Sequence, residues 1–206
     1  LISEFVAPIL NGIGITLLLI AVTSVLGGAL SVAGAIGRRS GPGWVQGAVG
    51  WYVELFRNTP FIVQLFFVYF GLPSLGLRLG PFAAAVLAMT LNFAAYATEM
   101  VRAGLEAVHQ GQWDAARALG LRGVGAFRLV VLPQALRAVF PALVSQVVIT
   151  MLESSVVSQI ALRDLTYEAD LIQSRTFLAF DTYLVVTAIY LGLSVMLRRV
   201  LRRIAP

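Results

Sequence analysis

Asn92, Tyr96 and Glu99 stand at i, i+4 and i+7, and further along the chain Gln146, Thr150 and Glu153 repeat that spacing. On a helix each trio lines up as one polar stripe. Amide, hydroxyl and carboxylate side chains offer acceptors for an ammonium group, and the amides and hydroxyls offer donors for a carboxylate. Two such stripes facing each other across a bundle or a dimer axis would line a wet cavity for a polar solute. Alternatively they bond each other between helices and only hold the bundle together. At the level of sequence both readings stand.

Other chemistries are excluded more sharply. The chain has no cysteine, which removes disulfides, thiolate metal sites, iron–sulfur clusters and thiol nucleophiles. His109 is the only histidine, lies in a polar stretch without a second ligand candidate, and reads as a solvated or helix-end residue. No metal site is expected. The stretch GLRGVG at 120–125 has glycines but lacks the Lys-Ser/Thr of a phosphate loop, so the chain is not expected to bind or hydrolyse ATP itself.

The elements that must carry the stripes are membrane spans. Of the 206 residues 59% are hydrophobic and only 12% charged, about half the charge of a soluble domain. The formal net charge is +5 and all 15 basic residues are arginine. These arginines fall between or beside apolar runs, which is a topology signal rather than a nucleic-acid face, so no nucleic-acid partner is expected. The first apolar stretch is too long for a cleavable leader and has no basic residues before it.

With about 20 apolar residues needed per crossing, five spans are expected at 8–36, 50–75, 81–103, 134–155 and 178–200. The second reaches full length only if the helix runs on from the upstream WVQGAVGWYVELFRNT. With the N-terminus outside, Arg38, Arg39, Arg102, Arg117, Arg122, Arg128, Arg137, Arg198, Arg199, Arg202 and Arg203 fall inside. The acidic Glu4, Asp164, Glu168, Asp170 and Asp181 then collect outside. Asn92 comes out roughly 16 Å from Pro81, near the midplane, and Glu99 about 27 Å from it. Arg57 and Glu99 sit toward the inner ends of neighbouring spans, so an ion pair between them, structural or gating, is expected. Glu54 and Arg102 are competing partners. The small residues of the first span, Ser24/Gly28 and Gly27/Ser31, read chiefly as packing within one bundle.

The segment GQWDAARALG, at 111–120, reads as a short helix, part of an element over about 110–121. Asp114 lies in its first turn and Gly120 supplies a C-terminal stop. It is too short and polar to span, and so short an exposed helix needs something to pack against.

The loop resembles that of the inner-membrane subunits of ABC importers. Their pattern is Glu-Ala-Ala, three residues, Gly, nine residues, Ile, one residue, Leu-Pro. Here it is Asp114-Ala115-Ala116, Gly120, Val130 and Leu132-Pro133 at the same spacings. ELFRNTPFIVQLFFVYFGLP (54–73), AYATEMVRAGLEAVHQGQWDAARALG (95–120), FRLVVLPQALRAVFPAL (127–143) and DLTYEADLIQSRTF (164–177) resemble permeases of the polar amino acid uptake family.

The resemblance implies an all-α integral membrane protein with the type I ABC importer permease fold. Its five transmembrane helices, N-out and C-in, would form one permease domain over 1–206, with a short cytoplasmic coupling helix. It implies a bacterial inner (cytoplasmic) membrane location and four kinds of neighbour. These are a cytoplasmic ABC ATPase dimer that uses ATP and Mg, a second permease subunit (self or paralogue), an extracytoplasmic amino-acid-binding protein, and the lipid bilayer. Asp114, Ala115, Ala116, Gly120, Leu132 and Pro133 would couple to the ATPase, with the two alanines permitting close docking. Asn92, Tyr96, Gln146, Thr150 and Glu153 would line the substrate path. Many relatives carry Lys-Asp where this chain has Leu152-Glu153, so arginine-like, acidic and neutral polar amino acids all stay open. An ion-gradient-driven transporter would show internal repeats, which are not seen, and a non-transporting scaffold would show no flux.

Overall fold

A computed structural model describes the backbone of residues 2–204 and the side chains of residues 5–204; Glu4 lies outside the described side chains. The described elements are all helical. Helix α1 (Ile2–Ser40) runs 39 residues and ends on Arg38 and Arg39. It lies along α4 (Pro81–Ala107), which packs in turn on α7 (Leu132–Glu153).

Small residues let these backbones close up. A Cβ on Gly34 would sit 2.7 Å from Thr98 Oγ1, and one on Gly104 2.7 Å from the Ala135 carbonyl oxygen. In lipid, where no hydrophobic drive pulls helices together, such close van der Waals contact is what holds them. The small stripe of α1 thus serves packing within the subunit through Gly27 and Gly34, whereas Ser24 and Gly28 line a shallow groove. Leu19, Leu65, Met89, Met151 and Leu165 are fully buried in the main core. A second cluster of Ala35, Val101, Leu105, Val131 and Ala135 sits where α1 and α4 end and α7 begins.

The second span departs from expectation. Instead of one continuous helix over 50–75, α2 (Gly43–Arg57) stops and α3 (Phe61–Phe66) sets off at a bend of 109° from it. The cause is local. Pro60 drives Thr59 out of the helical region and cannot donate a backbone hydrogen bond. The carbonyls freed at the break are taken by side chains, Thr59 Oγ1 donating to Leu55 O (2.8 Å) and Gln64 Nε2 to Phe56 O (2.8 Å), while Glu54 O keeps the Asn58 N–H (3.1 Å) and also accepts from Asn58 Nδ2 (2.8 Å). A broken backbone persists at membrane depth only when its polar groups are satisfied in this way. Beyond α3 a wide π turn (Phe67–Gly71) and a 3₁₀ turn (Leu72–Leu75) complete the segment.

Among the described residues four helices are long and apolar enough to cross a membrane, and the bent pair makes a fifth if it is one span. The last of them, α9 (Ala179–Arg203), turns Leu184, Val185, Leu191, Val195 and Val200 outward, a surface that only lipid or a partner helix can cover. Two short helices do not span, α5 (Gln110–Ala118) and α8 (Leu165–Thr176), whereas the single turn α6 (Val124–Ala126) runs without a break into the α7 span.

Candidate functional site

The α5 region is defined by how it starts, stops and attaches. His109 is its N-cap, with Nδ1 accepting the Gly111 N–H at 3.0 Å, so the lone histidine is the helix-end residue its position suggested. The C-terminus closes in a Schellman motif. Leu121 N–H donates to Ala116 O (3.0 Å) and Gly120 N–H to Arg117 O (2.9 Å), with Gly120 at φ +80°. The helix stops there, as the glycine in the sequence suggested.

Attachment comes from one face. Trp113 lies against the Phe127 ring (centroids 6.5 Å apart) and under the Arg39 guanidinium (5.5 Å), while Ala116 is 1% exposed. The Ala116 side chain is therefore turned into the subunit. The expectation that both alanines offer themselves to a partner is corrected: at helical spacing Ala116 shares the inner face with Trp113. Its small size instead lets α5 sit close against its own body. The outer face carries Asp114, Ala115, Arg117 and Leu119, the last 81% exposed. Asp114 and Arg117 form a solvent-facing pair at 3.6 Å.

Leu132 and Pro133 begin α7. Pro133 has no N–H and its ring excludes the carbonyl one turn back, and the turn before it widens, Leu132 N–H reaching Phe127 O five residues back. Gln134 Nε2 bridges this turn to α5, donating to Val130 O (3.0 Å) and Gln112 Oε1 (3.1 Å).

The expected Arg57–Glu99 pair is not formed. Glu99 accepts from Arg38 at 2.7 Å and from Arg102 at 3.0 Å, and Arg102 also reaches Glu106. The break at Asn58–Pro60 ends α2 so that the Arg57 guanidinium lies over the Tyr96 ring at 5.5 Å, and Tyr96 donates to the Arg57 carbonyl (3.4 Å). The cluster around Glu99 ties the ends of α1 and α4 together instead.

The polar stripes divide. Asn92, Gln146 and Thr150 are buried inside the subunit, whereas Tyr96 and Glu153 are half-buried. Asn92 Nδ2 donates to Gln64 Oε1 at 2.9 Å, so one end of the Gln64 amide caps the broken helix while the other holds α4. Gln64 was missed by sequence reasoning, although a lone amide in an apolar run just after a proline was its signal. Asn92 Oδ1 and Thr150 Oγ1 have no partner among the described residues. None of the described residues form a cluster suited to a metal ion.

This arrangement, apolar helices with a separately capped polar helix at one end, matches a known family. The pattern described as "Binding-protein-dependent transport system inner membrane component" covers residues 29–206. The chain belongs to that family. It is thus a multi-pass permease subunit of an ABC importer, and not itself an enzyme. The "Probable glutamine ABC transporter permease protein GlnM" of Bacillus subtilis is 41% identical over 144 residues, 70% of this chain and 67% of GlnM. The "Arginine transport system permease protein ArtQ" of the same organism is 35% identical over 88% of this chain and 84% of ArtQ. A solved "amino acid ABC transporter with histidines" superposes with a TM-score of 0.88 at 33% identity, covering 99% of this chain and 95% of that one.

Proposed function

We propose that this permease carries polar amino acids through a bacterial inner membrane, driven by a cytoplasmic ABC ATPase dimer that uses ATP and Mg. The chain crosses five times, N-out and C-in, with α2 and α3 together as the second crossing. It works beside a second permease subunit, the same chain or a paralogue. An extracytoplasmic binding protein delivers the amino acid at the α8 end, and the ATPases dock at the α5 end.

The observation that carries this reading is α5: a short helix outside the spans, capped at both ends, whose inner face is seated and whose outer face of Asp114, Ala115, Arg117 and Leu119 is free. Its motion would pass into the membrane through Gln112–Gln134 and the Leu132-Pro133 turn at the start of α7. The substrate side is supported by the names of the relatives and by the stripe residues. Tyr96 and Glu153 face partly outward and offer a hydroxyl and a carboxylate to an ammonium-bearing solute, whereas Asn92, Gln146 and Thr150 are buried behind them and would meet a solute only if the helices part.

Because the chain lacks cysteine, a single thiol at Ala115 is a clean probe. Cross-linking in native membranes with a short reagent is expected to join Ala115→Cys to an ABC ATPase, whereas Arg78→Cys gives no such adduct. A thiol at 115 that reacts with a small reagent but never joins an ATPase overturns the coupling assignment. Uptake in vesicles is expected to persist with ionophore and to stop without ATP; the opposite pattern would mark an ion-driven carrier.

A further inference from the structure

We propose that the groove behind α5, on the side away from its free face, is a binding site for one anionic phospholipid of the surrounding bilayer. The groove has a volume of about 680 Å³ and is formed by the end of α1, the end of α4, Trp113 of α5 and the 123–132 segment. Its walls are graded. Val32 and Ile36 lie one to two turns before Arg39 on α1, and Leu132 lies one turn beyond Arg128, toward α7. The α1 wall therefore runs from apolar side chains at the bundle end to a guanidinium at the loop end, and on the facing wall Arg128 stands between Leu132 on the bundle side and Phe127 and Val124 on the loop side. That is the polarity of a lipid, with acyl chain against Val32, Ile36 and Leu132 and phosphate between Arg39 and Arg128.

Charge favours the same occupant. Two arginines and no carboxylate line the groove. Among the described residues neither Arg39 nor Arg128 has an acidic partner, in contrast to Arg38, Arg102 and Arg117 nearby. Arg39 is held in place, donating to Leu105 O at 2.9 Å while it stacks on Trp113. An aromatic ring beside cations at the end of a long apolar helix is the setting in which headgroups lie. Basic pockets between spans on the cytoplasmic side select anionic lipids. The proposal rests on the topology given above, but not on what the permease carries, so a lipid assay and the uptake assay fail independently.

Trp113 is one of three tryptophans, and the other two, Trp44 and Trp51, are exposed and replaceable by Phe, leaving Trp113 as the sole indole reporter. The full chain in that background is reconstituted in phosphatidylcholine vesicles containing dibrominated phosphatidylglycerol or dibrominated phosphatidylcholine. Bromines quench only on contact. Trp113 is expected to be half-quenched at a mole fraction of the anionic lipid about tenfold lower than that of the zwitterionic one. Arg39→Gln with Arg128→Gln should bring the two lipids within about twofold, while Arg202→Gln with Arg203→Gln should leave the preference intact. If the double variant does not fold, Ser40→Glu, which puts a negative charge on the exposed groove lining, must reduce the preference by itself. Equal quenching by both lipids overturns the proposal, as does a preference that survives the groove variants. Absence of quenching in folded protein also overturns it, and means that a protein surface covers the groove.

Discussion

Two of the short helices that interrupt the spans, α5 and α8, are attached in opposite ways. Helix α5 is capped by an exposed histidine and held by one tryptophan face, one buried alanine and an amide–amide bond to α7. Helix α8 is braced from several sides. Its N-cap Asp164 is fully buried and accepts the Tyr167 N–H at 2.9 Å, and Tyr190 of α9 reaches both Thr166 (2.9 Å) and Asp164 (3.4 Å). Leu165 N–H points at Thr16 of α1 (3.4 Å), and Glu168, itself buried, pairs with Arg163 at 2.8 Å. The contrast teaches a division of labour. The helix proposed to transmit a partner's motion is anchored along one face, whereas α8 at the other end of α1 is locked to α1 and α9 together.

The sharpest way to break the brace is steric. A Cβ on Gly12 would lie 2.8 Å from Leu165 Cα and 2.9 Å from Asp164 O, backbone atoms that cannot swing aside. Gly12→Val is expected to cost about 3 kcal/mol, the upper end for overpacking, and to lower Tm in detergent. Gly14→Val, two residues on and with open space around it, should change Tm little. Equal Tm losses in the two variants would show that α8 is not braced on α1.

A second effect of similar ceiling is electrostatic. Burial pushes the Asp164 carboxyl up to about 6 from its ordinary 3.8, against the lowering effect of the Tyr167 and Thr166 N–H groups. The folded state thus binds this proton more tightly than the unfolded chain. Its contribution is fully present below about pH 4 and is lost as pH rises through 6, by about 3 kcal/mol at most. Asp164→Asn keeps the capping oxygen and removes the charge. Its Tm at pH 7 relative to pH 4.5 should therefore exceed that of the unmodified protein; parallel profiles would sink the assignment.

On α5 the expected loss is in transport rather than stability. Ala115→Trp places a large side chain on the free outer face, where it has room in the isolated subunit but not against a docked ATPase. ATP-driven uptake should fall about tenfold, equivalent to about 1.4 kcal/mol, with Tm unchanged. A variant that loses Tm and uptake together would mean that Ala115 is packed internally.

These two ends were not equally legible. The α5 region was plain in the chain because its signals are local: alanines, a glycine stop and the spaced Leu132-Pro133, although the helix starts at Gln110 and so leaves Asp114 past the first turn where it was expected. What escaped was which alanine faces inward, since that depends on where Trp113 finds Phe127 and Arg39. The Arg38–Glu99 pair, 61 residues apart, was hidden for the same reason. Proximity along neighbouring spans suggested Arg57 instead, and the break at Asn58-Thr59-Pro60 moved it onto Tyr96. That break was written in the sequence as polar residues before a proline, but the length needed for a crossing favoured a continuous helix. The buried cap at Asp164 had no advance sign beyond an acidic residue before a helix, because its burial comes from α1 and α9.

The smallest expected effect tests whether α5 needs its defined end. Gly120 sits at φ +80°, where an L side chain is strained and only glycine is at ease. Alanine there should cost about 1 kcal/mol, and asparagine less because its side chain tolerates the left-handed region. No side-chain contact is added, since nothing lies within 4 Å of the position a Cβ would take. Any change must therefore come from the backbone, through loss of the Leu121–Ala116 and Gly120–Arg117 hydrogen bonds. If the handle works as a rigid piece, uptake should fall in the order glycine, asparagine, alanine. Amide exchange at Leu121 should speed up in the same order while the Tyr167 amide of α8 stays protected. If exchange at Leu121 rises and uptake does not fall, the end of α5 is dispensable and coupling runs through Trp113 and Gln112 alone.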